Sequence, residues 1–170
     1  MAQAPDAPAA GDRVAAGSAA ATGASGRKVP RYVSLKASRV NLRKGPGMDY
    51  PTAWVFRRAG LPVEVVREYA RWREVRDAEG TTGWVSRSLL SARRTGQIAP
   101  WSIKAGQDVP QMTLRSRQSD TSRAVAIVEA GVIADLHACD GTWCRVSVAS
   151  YRGFIRQKDI WGIYPDETFD

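Results

Sequence analysis

The sequence predicts an all-β chain: two small antiparallel barrels in tandem behind a disordered N-terminal tail. Three observations predict it. The chain says nearly the same thing twice, from Val40-Asn41-Leu42-Arg43 and from Met112-Thr113-Leu114-Arg115 onward. Its apolar segments are short, β-branched or aromatic, and closely spaced by Gly, Pro, Asn and Asp. No stretch sustains an apolar period of 3.6 over three turns. After each opening strand come a polar loop, an apolar stretch ending in glycine, a tryptophan strand and a Gly-aromatic-β-branched triplet. Leu42, Arg43, Gly60, Trp72, Val75, Gly83, Trp84 and Val85 fall against Leu114, Arg115, Gly131, Trp143, Val146, Gly153, Phe154 and Ile155. A repeat this long is a duplicated domain rather than a solenoid unit. A second copy adds a second contact surface, which points to binding by avidity more than to catalysis.

The elements follow in chain order. Residues 1–26 are mostly Ala, Gly, Ser, Pro and Thr, with no aromatic and Val14 as the only β-branched aliphatic. Such a segment cannot bury enough surface to offset its ordering entropy, so residues 1–30 are expected to be a disordered tail. Residues 31–95 make the first barrel and 96–165 the second. Val63-Glu64-Val65-Val66-Arg67 and Trp72-Arg73-Glu74-Val75-Arg76 read as paired strands around a turn at Glu68 to Arg71. Gly83 to Ser86 is the next strand, and Ser88-Leu89-Leu90 suits one 3₁₀ turn. In the second copy the same order runs from Val132 to His137, Trp143 to Val148, Gly153 to Ile155 and Lys158 to Ile160, with Asp140-Gly141 as a hairpin signal. Ile98 to Ile103 reads as the first strand of the second unit, leaving a linker of a few residues. Units of this size bury only about 60% of their unfolded surface. Extra devices are therefore expected: tryptophan-rich cores, a disulfide, or docking of one unit on the other.

Net charge is +8 over 170 residues, unevenly placed. Residues 31–93 carry 13 Lys/Arg against 6 Asp/Glu, and residues 94–170 carry nine of each. The first repeat is basic and the second neutral. A basic small domain favours an anionic partner, whether nucleic acid, lipid headgroups or a wall polymer, or simply has a soluble surface. No run approaches the ~20 apolar residues of a transmembrane helix. No basic and apolar signal-peptide pattern opens the chain, and Met-Ala-Gln-Ala-Pro-Asp reads as a mature exported chain with a start Met added.

With these residues in view, the chain resembles the bacterial SH3-like domain family. The first copy carries the pattern over about 50 residues: Val40-Asn41-Leu42-Arg43-Lys44-Gly45-Pro46-Gly47-Met48-Asp49-Tyr50, Gly60, Trp72-Arg73-Glu74-Val75 and Gly83-Trp84-Val85. The second keeps Leu114-Arg115, Gly131, Trp143-Cys144-Arg145-Val146 and Gly153-Phe154-Ile155, but replaces the Gly-Pro-Gly loop with Ser116-Arg117-Gln118-Ser119-Asp120. The tandem layout looks like a subgroup of exported two-domain proteins. The resemblance implies two SH3-like β-barrels, a periplasmic or secreted location, and non-catalytic binding of peptidoglycan or its peptide stems.

The candidate ligand-binding residues are Arg43, Lys44, Pro46, Tyr50, Trp72 and Trp143. Arg43 and Lys44 offer charge for a carboxylate or phosphate, and Tyr50 an amphipathic contact, on a loop that could equally be a plain turn. Trp72 and Trp143 either expose an indole face for stacking or belong to the core. Trp84, Phe154, Leu42 and Leu114 are expected in the core.

Cys139 and Cys144 are expected to form a disulfide. A four-residue loop would set them face to face; a turn at Asp140-Gly141 alone would leave the bridge diagonal. A disulfide implies an oxidising compartment. His137 lies near them, but a structural zinc site wants four ligands and the chain has no other Cys or His, so no metal is expected. No phosphate loop, dinucleotide fingerprint or zincin motif is present, and no enzyme activity or cofactor is expected.

Three readings follow for function. The first is a cell-envelope module recognising peptidoglycan or a peptide. The second is a protein–protein adaptor binding a proline-rich or extended peptide. The third is nucleic-acid binding by Arg67, Arg71, Arg73 and Arg76, which their interleaving with Glu64, Glu68, Glu74 and Asp77 disfavours.

Overall fold

A computed structural model describes residues 21–170. The described chain opens with a short ladder, β1 (Ala21–Thr22) and β2 (Lys28–Val29). The first barrel comprises β3 (Arg31–Leu35), β4 (Val40–Arg43), β5 (Thr52–Phe56), β6 (Pro62–Tyr69), β7 (Trp72–Arg76), β8 (Thr82–Ser86), a 3₁₀ turn at Arg87–Leu89 and β9 (Leu90–Ser91). The second comprises β10 (Thr95–Ile98), a 3₁₀ turn at Pro100–Ser102, β11 (Gln111–Arg115), β12 (Ala124–Glu129), β13 (Ile133–Asp140), β14 (Trp143–Val148), β15 (Tyr151–Arg156), a 3₁₀ turn at Gln157–Asp159 and β16 (Ile160–Trp161). A final strand, β17 (Thr168–Phe169), pairs with β13. Among the described residues there is no α-helix.

The two sheets have one topology. The first runs β5-β4-β8-β7-β6-β3-β9 and the second β12-β11-β15-β14-β13-β10-β16, so each of these seven strands has a counterpart and β17 is an addition to the second sheet. Even the bulges recur. One lies at Leu42/Arg43 and again at Leu114/Arg115; another lies between Val65 and Arg67 and again between Leu136 and Ala138. Each bulge bends its strand and lets a short sheet curl. Phe56 of β5 shares a core with Leu35 of β3, although their strands are remote in the sheet order, so the sheet closes on itself.

That first core holds Leu35, Val40, Leu42, Val63, Val65, Val75 and Val85; the second holds Ile98, Leu114, Leu136, Val146 and Ile155 with both cysteines. Leu42 and Leu114 are fully buried, as expected. The glycine of each Gly-aromatic triplet has a steric reason. A Cβ on Gly83 would lie 2.5 Å from Leu42 Cγ and 2.9 Å from the Arg43 carbonyl; one on Gly153 would lie 2.9 Å from the Arg115 carbonyl.

Four expectations change. Trp84 is buried and Phe154 half-buried, but neither belongs to the central apolar clusters. Adjacent strand residues face opposite ways, so with Val85 and Ile155 inside, Trp84 and Phe154 lie on the outer face. The first strand of the second unit is Thr95–Ile98 rather than Ile98 to Ile103, because Pro100 supplies no N–H to a ladder and the chain turns there. The first hairpin turn is only Ala70-Arg71, with Ala70 at φ 50°, since β6 continues to Tyr69. Finally, residues 21–30 are held rather than disordered. Ser25 donates to Glu68 through its N–H (2.6 Å) and hydroxyl (2.9 Å), so polar contacts replace the apolar burial the tail lacks. Residues 1–20 of the expected tail lie outside the described residues.

The disulfide joins Cys139 and Cys144, directly opposed in register with Cα atoms 4.2 Å apart. Their turn is Gly141-Thr142, fixed by Asp140 Oδ1, which accepts from the Thr142 and Trp143 N–H groups at 2.8 Å each.

The barrels dock on each other. The Tyr164 hydroxyl donates to Glu64 Oε1 across 2.8 Å, and the Tyr32 ring packs edge-on to Trp161 and against Tyr164. The Thr95 hydroxyl donates to the Gly60 carbonyl at 2.7 Å, and Arg58 Nη1 to the Gly131 carbonyl at 3.0 Å. Burial, and then the Glu64 carboxylate, push the Tyr32 and Tyr164 phenols well above the ordinary tyrosine range.

Candidate functional site

The repeated Leu-Arg motif builds its own loop. Arg43 Nη1 donates to the carbonyls of Tyr50 (2.9 Å) and Met48 (3.3 Å), drawing the Gly-Pro-Gly segment back on the strand. Arg115 Nη1 does the same to the Ser122 carbonyl (3.0 Å) in the second copy. The arginine is thus a loop clamp in both barrels, whatever the loop sequence. Tyr50 lies flat on Gly45 and Gly47, where a Cβ on Gly45 would fall 2.3 Å from the ring. Tyr50 and Lys44 remain exposed, and Pro46 is half-buried between them.

Trp72 and Trp143 are buried rather than open platforms, though outside the two apolar core clusters. They lie on the faces opposite Val75 and Val146, yet are only 8% and 7% exposed. Arg156 covers Trp143, its guanidinium carbon 4.3 Å from the ring centre, and Arg67 covers Trp84 at 5.4 Å. Arg156 is itself paired with Asp120, and Arg67 with Glu74. Hydrogen bonding within each pair raises both guanidinium pKa values and lowers that of Asp120. A cation over an indole occupies the face a sugar would need.

His137 is the bulge residue of β13, and its Nε2 lies 2.8 Å from the Ser147 hydroxyl. Both thiols are in the disulfide, so neither offers a thiolate.

The exposed aromatics gather elsewhere. A groove of about 830 Å³ runs between the barrels, lined by Trp54, Arg57, Arg58, Glu79, Trp101 and Ile103 among others. Trp54 is 56% exposed and stands on β5, the edge strand of the first sheet. Trp101 is 54% exposed, on the 3₁₀ turn after Ala99, where Pro100 sets the turn and the Ser102 hydroxyl caps the Ala99 carbonyl at 2.7 Å. Arg57 and Arg58 give the groove a basic wall. Asp77, opposite, spends Oδ1 on the Glu79 and Thr81 N–H groups and so shapes its loop. Sequence reasoning missed Trp54 and Trp101. A signal existed: neither has an aromatic counterpart in the other repeat, Ala126 standing where Trp54 does.

Residues 36–92 and 108–162 each match the family model of the bacterial SH3 domain. No curated protein matches the chain. Among solved structures, NlpC2 from Trichomonas vaginalis is similar at 16% identity and a TM-score of 0.34, covering 78% of this chain, and NlpC1 from Trichomonas vaginalis at 18% and 0.33, covering 82%. This chain spans about half the length of those two, 48% of each. With two copies of the motif matched along most of its length, the chain belongs to the bacterial SH3 domain family.

Proposed function

We propose that the chain is a non-catalytic binding module of the cell envelope that recognises peptidoglycan or a peptide in the groove between its barrels. One observation carries this reading: two tryptophans that the repeat does not require are exposed together on one 830 Å³ groove. Large exposed aromatics cost solubility unless a partner covers them. Their faces suit sugar rings or a peptide, and Arg57 suits a stem carboxylate. The Gly-Pro-Gly loop, with Lys44, Pro46 and Tyr50, is a second contact surface on the same basic barrel. The disulfide supports a periplasmic or secreted location.

The adaptor reading gains support from β5, an edge strand whose outer main-chain groups could pair with an extended peptide. The nucleic-acid reading loses support, because Arg67, Arg73 and Arg76 are paired with Glu74, Glu68 and Glu64. Co-sedimentation of the full chain with isolated peptidoglycan, with DNA as competitor, tests the proposal. Retention at physiological salt that DNA does not displace is expected; absence of retention, or release by DNA, discards it.

A further inference from the structure

A second cavity, of about 460 Å³, lies on the first barrel away from the groove, lined by Arg27, Arg31, Arg73 and Arg87 with Ser25 and Ser88 among others. Four guanidinium groups share it with a single carboxylate. Glu68 pairs with Arg31 at 2.7 Å and with Arg73 at 3.2 Å. Arg27 and Arg87 have no carboxylate partner among the described residues. Arg73 is almost wholly buried, and Arg31 Nε is buried without a hydrogen-bond partner. Burial lowers the Arg73 pKa, and the charges of Arg31, Arg87 and Arg27 add to that effect while Glu68 opposes it. Gathering like charges in a partly dry place costs free energy that the fold has no need to spend.

The second barrel shows that the fold does not require it. Cys139, Cys144 and Gln157 there occupy the places of Glu68, Arg73 and Arg87, in the same register and on the same 3₁₀ turn. Gln157 is satisfied by the Gly141 N–H and by the carbonyls of Tyr164 and Glu167. Arg94 alone keeps a charge there, in the place of Arg31, and it is paired with Glu167 of the C-terminal segment that fills the region. Only the first barrel carries the excess of positive charge.

We propose that the cavity of Arg27, Arg31, Arg73 and Arg87 is an oxyanion site that takes a phosphate group, free or as a phosphomonoester. Planar guanidinium forks suit tetrahedral oxyanions, and a dianion offsets the unpaired charge better than a single carboxylate does. The volume leaves room for the group that carries the phosphate. This site is independent of the groove reading.

Isothermal titration of the full chain with inorganic phosphate and with glucose 6-phosphate, at ionic strength held constant with sodium chloride, tests it. Nitrogen NMR of the arginine Nε–H signals is the parallel readout. Saturable binding of at least one of the two is expected, with the Arg31 Nε–H signal shifting. Phosphate alone would indicate a free-ion site, and the ester alone or more tightly a site for a phosphorylated ligand. R27A and R87A, both exposed positions, should each weaken binding about tenfold, while R123A on the second barrel leaves it unchanged. Neither compound binding better than chloride, or equal affinity in R87A and R123A, would overturn the proposal.

Discussion

Glu68 and Arg73 face each other across β6 and β7 in the position that the disulfide of Cys139 and Cys144 holds across β13 and β14. A salt bridge at 3.2 Å thus closes the first hairpin where a covalent bond closes the second. The first barrel also anchors residues 21–31 through it, since Glu68 binds both Ser25 and Arg31.

The equivalence predicts that the double substitution Glu68→Cys with Arg73→Cys yields a second disulfide. Non-reducing mass analysis should find four cysteines and no free thiol. Glu68→Ala alone should cost about 3 kcal/mol in urea unfolding, because it strands two largely buried guanidiniums. It should also expose residues 21–30 to proteolysis.

Acid should act through the same carboxyl. Burial alone would raise the Glu68 pKa, but the Ser25 N–H, Arg31 and the Ser25 hydroxyl outweigh it and hold the group at about 2. The folded value lies below the unfolded one. Its stabilisation is complete above the ordinary glutamate range and is lost as pH falls from about 4.5 toward 2, on the order of 3 kcal/mol in all. Unfolding free energy measured across that window should fall for the wild type, and fall less steeply for E68Q.

Gly83→Ala and Gly153→Ala should each cost about 1–3 kcal/mol, because a Cβ there meets a strand carbonyl and the fully buried Leu42 or Leu114, neither free to move away. Thermal unfolding of each variant checks this. Gly80→Ser is a control at an exposed loop position with open space around it, though its φ of 88° carries a smaller strain of its own.

Tyr164→Phe should cost about 1–2 kcal/mol, because Glu64, itself buried, loses one of its partners at the docking surface and keeps Arg76. Equilibrium unfolding followed by tryptophan fluorescence reads the change through Trp161 nearby.

The duplication made the fold legible. Matched positions such as Leu42 and Leu114, or Gly83 and Gly153, mark what the barrel needs, and the structure supplies the contacts behind them. Tryptophan parity was also in the sequence: a residue beside an inward Val85 must face out, so Trp84 could have been placed correctly. The role of Arg43 was hidden because it acts through loop carbonyls, which carry no sequence signature. The docking of Tyr164 on Glu64 spans 100 residues and has no counterpart within one repeat. The groove was hidden for the converse reason, since Trp54 and Trp101 are individual to their copies and the repeat marks only the shared Trp72 and Trp143.

Those two unshared tryptophans carry the proposed recognition. The decisive measurement is peptidoglycan co-sedimentation of W54A/W101A beside the wild type, with circular dichroism confirming that both remain folded. A loss of roughly tenfold or more in binding by the folded double variant is the expected result. Undiminished binding by that variant would contradict the groove as the recognition surface.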